Sequence, residues 1–155
     1  MDSDQIEQAK RSSLGQVLFK TARLFNEEAL ARLRAQSGLP VRAAHTTLLP
    51  HIDFAGTRLT VLAQRVGVSK QAVHQLVLEM EAMGTLERVQ DPTDGRARLI
   101  RFTEAGRRGL LVGLGVLGSV RSEAAEALGE ERLERLQGDL VALLDWLEER
   151  PPQAA

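Results

Sequence analysis

Five polar residues, Ser69, Lys70, Gln71, His74 and Gln75, crowd the opening turns of one helical segment. They lie off an apolar face formed by Val73, Leu76, Val77, Met80 and Met83. Each glutamine amide both donates and accepts, which matches the N6/N7 edge of adenine, while Lys70 and His74 suit guanine or phosphate. Ser69 divides between capping its own helix and touching a phosphate. Further along, Asp91-Pro92-Thr93-Asp94-Gly95-Arg96 is rich in turn formers and closes on an arginine. A guanidinium at the tip of a thin loop can enter a narrow minor groove, where negative potential is deepest. Asp94 can brace that arginine or bond its own backbone, and Gly95 allows the positive φ expected at a tip. Arg88, Arg98 and Arg101 are phosphate-contact candidates on the flanking strands. Arg107 and Arg108 either continue the basic surface or pair with Glu104. For all of these, a solvated polar face is the plainer alternative.

Other chemistries find little support. Three scattered histidines, no cysteine, no glycine-rich phosphate loop and no Gly-x-Ser-x-Gly leave no nucleophile–base constellation, so the chain is not read as an enzyme. His45 and His51 do not share a helix face and make a poor metal pair, and turn chemistry accounts for Asp91 and Asp94, so no metal or cofactor is expected. Without cysteine there are no disulfides and no zinc or iron–sulfur sites. An aromatic content of 3% with no tyrosine argues against RNA recognition by stacking.

The elements that must position these residues follow from length, charge and periodicity. At 155 residues, 43% hydrophobic and 26% charged, the chain suits one soluble domain or two small halves. The net charge of −1 conceals +1 over residues 1–55, +3 over 56–108 and −5 over 109–155, so a polyanion could be met by the middle third alone. Arginine outnumbers lysine 17 to 3, which suits bidentate contacts but also follows from genome base composition. An acidic N-terminus, and an uncharged stretch from Gly109 to Val120 far short of the roughly 20 residues of a span, point to a cytoplasmic protein without membrane contact.

Leu14, Val17, Leu18, Thr21, Leu24, Phe25, Ala29 and Leu33 predict one long amphipathic helix, starting near Asp4 or Ser13 and stopping at Ser37-Gly38. Pro40 is placed as the first residue of a second helix to about Ile52, with Pro50 kinking or ending it. Two short helices, Thr60 to Val66 and one opened by Ser69, are joined through Gly67 and read as a helix-turn-helix. Leu86 to Gln90 and Ala97 to Phe102 form a hairpin. Thr103 opens a long helix to about Leu128, and a leucine-rich last helix stops at Pro151-Pro152. The terminal helices carry apolar stripes that the small central unit cannot cover, which implies a second copy and a homodimer.

The run Leu59-Thr60-Val61-Leu62-Ala63-Gln64-Arg65-Val66-Gly67-Val68-Ser69-Lys70-Gln71-Ala72-Val73 resembles the helix-turn-helix of the MarR (multiple antibiotic resistance regulator) family. Leu78-Glu79 with Gly84-Thr85-Leu86-Glu87-Arg88 is similar to that family's junction before the wing, and Asp94-Gly95-Arg96 to its Asp-x-Arg wing. Thr103-Glu104-Ala105-Gly106 is similar to the start of the helix that follows. The resemblance implies a mainly α fold with a small β wing, a winged helix-turn-helix with N- and C-terminal dimerisation helices. It implies 1–38 as the N-terminal dimerisation helix, 39–106 as the DNA-binding region and 107–150 as the C-terminal dimerisation helices, in one intertwined domain.

In function it implies a sequence-specific regulator of transcription on a pseudo-palindromic operator of double-stranded DNA, a repressor released by a small-molecule effector. Its setting would be the bacterial or archaeal nucleoid. A small aromatic or phenolic effector is the family-level expectation, with Phe25, His45, His51 and Phe54 on plausible elements; the lack of cysteine disfavours the peroxide-sensing branch. The competing reading is a winged-helix module that binds protein and has no DNA affinity.

This chain departs from the family pattern in three places. Val61 stands where an acid often completes a capping box, leaving Thr57 or Thr60 to cap alone. Met80 replaces a common leucine, a mild swap. Gly109, Gly113, Gly115 and Gly118 crowd one helix, either to admit another helix closely or to act as a hinge.

Overall fold

The computed structural model describes residues 3–150; the stop expected at Pro151-Pro152 lies outside them. The helices among these residues are α1 (Ser3–Ser12), α2 (Leu14–Ser37), α3 (Ala43–Thr46), α4 (Leu59–Val66), α5 (Lys70–Ala82), α6 (Glu104–Leu128) and α7 (Glu130–Glu148). The strands are β1 (Thr57–Arg58), β2 (Leu86–Asp91) and β3 (Asp94–Phe102). They form one antiparallel sheet in the order β1-β3-β2. The residues fall into two compact units, one running up to Val116 and one from Leu117 onward.

The long helix expected from the sequence starts at the later of its two candidate positions, with Ser13 as cap and Gly38 as its end, and a separate α1 precedes it. Ser13 takes an extended conformation and its hydroxyl accepts from the Gln16 amide, while the Ser12 hydroxyl bonds back to the Gln8 and Ala9 carbonyls. Adjacent serines offering the backbone alternatives to the helical ladder explain the break. The second helix is shorter than expected. Pro40 is not helical; Arg34 Nε donates to the Val41 carbonyl at 2.7 Å, and helix begins only at Ala43. Pro50 cannot follow a helical Thr46, because its ring would strike that carbonyl. Helix therefore stops there, and Leu49–His51 forms a single 3₁₀ turn.

The helix-turn-helix forms as expected. Gly67 closes α4 with φ 74°, a left-handed conformation that glycine adopts without steric cost, and its N–H bonds to the Ala63 carbonyl. Ser69 then caps α5, its hydroxyl accepting from the Ala72 amide at 3.2 Å. Neither Thr57 nor Thr60 caps α4. The chain enters that helix straight from β1 through an extended Arg58, and the Thr57 hydroxyl is already engaged with Asp53, accepting from its amide at 2.8 Å and donating to its carboxylate at 3.1 Å.

Apolar faces of α4 and α5 close on the sheet. Leu48, Ile52, Leu62, Ala63, Val73, Val77, Met80, Leu86, Ile100 and Phe102 form the core, with Leu76 and Met83 partly buried against it. Thr103 locks the start of α6 to the end of α5: its hydroxyl donates to the Gly84 carbonyl at 2.6 Å and accepts from the Gly106 amide at 2.9 Å. A Cβ on Gly106 would lie 1.9 Å from the Thr85 carbonyl oxygen, so only glycine admits this approach. By contrast, a Cβ on Gly109, Gly113, Gly115 or Gly118 would meet nothing within 4 Å.

Each unit leaves apolar surface uncovered. In the first, Leu14, Val17, Phe19, Leu24, Leu111 and Leu114 are exposed. In the second, α7 contains no buried residue, and Leu136, Leu140, Leu144 and Leu147 are each about half exposed. No helix among the described residues is long and apolar enough to cross a membrane.

Candidate nucleic-acid interface

The opening of α5 faces the inner side of the β2–β3 hairpin across a groove of about 320 Å³, lined by Leu59, Lys70, Gln71, His74, Arg88, Arg98 and Ile100. Five of the residues expected from the sequence therefore line one groove. Strand alternation explains which arginines reach it. Leu86, Arg88 and Gln90 lie opposite Phe102, Ile100 and Arg98, so the two arginines share the face whose inner end is core. Arg101 lies on the other face opposite Glu87, where Arg101 Nε donates to Glu87 Oε1 at 2.8 Å. It is thus excluded from the groove by the two-residue period of the strand.

Arg88 does not hang free: its Nη2 lies 3.3 Å from Glu81 Oε2, at the far end of α5. That nitrogen is buried and makes no hydrogen bond, so the contact with Glu81 is one of charge. Lys70 and Arg98 have no ion-pair partner among the described residues. Gln75 does not line the groove; it follows Gln71 by one turn and donates through Nε2 to Glu79 Oε1 at 3.2 Å. Ser69 acts as the cap. Arg108 pairs with Glu104 one turn away, while Arg107 remains exposed.

The hairpin tip differs from expectation in three respects. The turn residues are Pro92 and Thr93, because Asp91 and Asp94 already face each other across the strands. The register then jumps to Gln90 opposite Arg98, which leaves Gly95, Arg96 and Ala97 of β3 without opposite residues. Arg96 therefore projects from a bulge beside the tip rather than from the tip itself, the kind of irregularity that re-aims a side chain. Asp94 holds the backbone of Arg96, its Oδ1 accepting from the Arg96 amide at 3.1 Å, and not its guanidinium. Gly95 is not in the left-handed region; a Cβ there would lie 3.2 Å from Gln90 Nε2, so room rather than backbone freedom favours glycine.

Two anchors were not foreseen from the sequence. Asp91, almost fully buried, accepts from the Thr93 amide and hydroxyl at 2.8 and 2.7 Å and from Arg58 Nε at 2.7 Å. The Thr93 bonds first, and then Arg58, hold its carboxyl down at about 2. This ties the hairpin end to β1 at the entry of α4. The second anchor joins α3 to α5. His45 is buried; its Nδ1 accepts from the Arg42 amide at 3.1 Å, so Nε2 carries the proton donated to Glu79 Oε2 at 2.7 Å. The Arg42 guanidinium bonds the same oxygen. Bonds from His45, then Gln75, then Arg42 hold the Glu79 carboxyl at about 2. Partners this distant in sequence leave no periodic signal. His45 is thus a structural hydrogen-bond donor, Phe54 packs its ring 6.3 Å from that of Phe102, and His51 lies in the 3₁₀ turn, with its carbonyl bonded by Arg65.

With groove, hairpin and helix-turn-helix in place, residues 37–97 match the family model described as MarR family. No curated protein matches the chain by sequence. The transcriptional regulator PA3341 is 26% identical, with a TM-score of 0.66 over 89% of this chain and all of that one. CouR from Rhodococcus jostii RHA1, solved bound to p-coumaroyl-CoA, is 24% identical, with a TM-score of 0.63 over 88% of this chain and 94% of that one. The transcriptional repressor CouR bound to a 23-mer DNA duplex superposes with a TM-score of 0.67 at 19% identity, over 93% and 98% of the two chains. In its matched segment the chain is thus similar to the MarR family, and its winged-helix fold is similar to those of these solved transcriptional regulators.

Proposed function

We propose that the protein binds a pseudo-palindromic operator in double-stranded DNA as a homodimer and represses transcription until a small aromatic or phenolic effector releases it. One observation carries the DNA reading: Lys70, Gln71, His74, Arg88 and Arg98 converge on a single groove beside an acid-free helix opening. A helix of this width enters the major groove, its first turns presenting side chains to base edges, while Arg96 on its bulge reaches the flanking minor groove. Ser69, Gln75 and Asp94 complete the contact set, the last through the backbone it holds. Exposed leucines along α7, and separately the apolar surface of α2, are each available to a second copy. The effector class rests on the phenolic thioester bound by CouR.

Selection of bound duplexes from a randomised pool, followed by titration of the enriched site at several salt concentrations, tests this. A two-fold symmetric site whose affinity falls steeply with salt is expected. A winged helix that binds only protein would enrich nothing. Sedimentation should give a dimer, and Leu140→Glu with Leu144→Glu should shift it to monomer. Genomic footprinting with and without phenolic acids and their thioesters tests release.

A further inference from the structure

Gln71 and Gln75 offer the same amide chemistry from successive turns of α5, yet the structure treats them differently. No hydrogen bond engages the Gln71 side chain among the described residues, so its amide is free to present either atom. The Gln75 amide is anchored, its Nε2 donating to Glu79 Oε1. Glu79 is in turn fixed through its other oxygen by buried His45 and by Arg42, two residues reaching across from the α3 segment. An ionised carboxylate only accepts, so it admits the nitrogen end of the amide and rejects the oxygen end.

We propose that Glu79 is a specificity-determining positioning residue, which locks the Gln75 amide in the one orientation that reads adenine. Locked this way, Gln75 has Oε1 and one remaining N–H to offer outward, the complement of adenine N6 and N7. The flipped amide would present the opposite order and lose that match. Glu79 touches no base; it acts through Gln75, and His45 and Arg42 act through Glu79. Bonds from His45, Gln75 and Arg42 hold the Glu79 carboxyl at about 2, so the anchor is ionised at neutral pH. Gln71, without an anchor, accommodates more than one base at its position.

This inference rests on the DNA reading above, and the experiment separates the two. Wild type, Gln75→Ala, Glu79→Gln and Arg42→Ala are each allowed to select from a randomised duplex pool at one salt concentration, and bound sequences are counted position by position. Wild type should favour adenine at one position of each half-site by about 5- to 150-fold, the range of a good bidentate contact. Gln75→Ala should abolish that preference. Glu79→Gln, whose amide can pair with either end of Gln75, should cut it about twofold or more at the same position and leave other positions unchanged.

Gln75→Ala combined with Glu79→Gln should match Gln75→Ala alone. Arg42 is more than half exposed, so Arg42→Ala folds even if Glu79→Gln does not, and it should weaken the same position. A Glu79 that merely docks α3 on α5 would lower affinity evenly at all positions when changed, and that result overturns the proposal. So does an unchanged adenine preference in Glu79→Gln and Arg42→Ala. A wild type that enriches no sequence overturns the DNA reading itself.

Discussion

Arg98 and Arg101 are three residues apart on β3, carry the same charge, and face opposite ways. If the groove beside α5 holds DNA, their replacement by alanine must differ in salt dependence. Lys70, Arg96 and Arg98 have no carboxylate partner among the described residues. Arg58, Arg88 and Arg101 are held by Asp91, Glu81 and Glu87. A phosphate approaching a paired arginine must compete with its carboxylate, so the unpaired three dominate counterion release. In a dimer they neutralise about six phosphates, giving a slope of log affinity on log salt of about −5. Affinity should then fall about 10³-fold between roughly 50 and 200 mM salt. Arg98→Ala removes one cation per protomer, flattening the slope to about −3.5 and the loss to about 10²-fold.

Arg101→Ala should leave the slope unchanged. Both changes are at exposed strand positions, so stability should move by less than about 0.5 kcal/mol in either. Fluorescence anisotropy of a labelled operator duplex, titrated at five or so salt concentrations, measures the slopes, and urea unfolding checks the fold. Equal flattening by both variants, or none by Arg98→Ala, would falsify the assignment of this groove to DNA.

Three further outcomes follow from other parts of the molecule. Arg96→Ala should weaken operator binding by about 1–3 kcal/mol without altering the dimer or the fold, as titration at fixed salt will register. Acid should destabilise the first unit in a defined window. Asp91 and Glu79 ionise at about 2 in the fold against 3.8 and 4.5 ordinarily, so their contribution is complete above about pH 4.5 and is lost as pH falls toward 2. Asp91→Asn with Glu79→Gln should flatten that acid limb in chemical denaturation, and an unchanged limb would assign it to other carboxylates. Gly106→Ala should cost about 1–3 kcal/mol or more, because its Cβ would overlap the Thr85 carbonyl and force α6 away. Gly113→Ala, with open space around it, should stabilise the isolated helix by up to about 1 kcal/mol, and urea midpoints distinguish the pair.

Local chemistry was legible in the sequence wherever neighbours along the chain decide the outcome. The α4–Gly67–Ser69–α5 turn, the cap at Thr103, the core face Val73, Val77 and Met80, and the hairpin itself all depend on contacts within a few residues, so spacing alone predicts them. The convergence of Lys70, Gln71, His74, Arg88 and Arg98 was foreseeable as a set of candidates, though not as a groove. Tertiary structure decided what depends on partners far along the chain. It placed Arg101 on the outer face through the register with β2, moved Arg96 from the tip onto a bulge, and tied Asp91 to Arg58 and His45 to Glu79. A residue's type states which bonds it can make; only the fold brings up the atom that completes them, because a buried donor or acceptor takes whichever partner the packing leaves within reach.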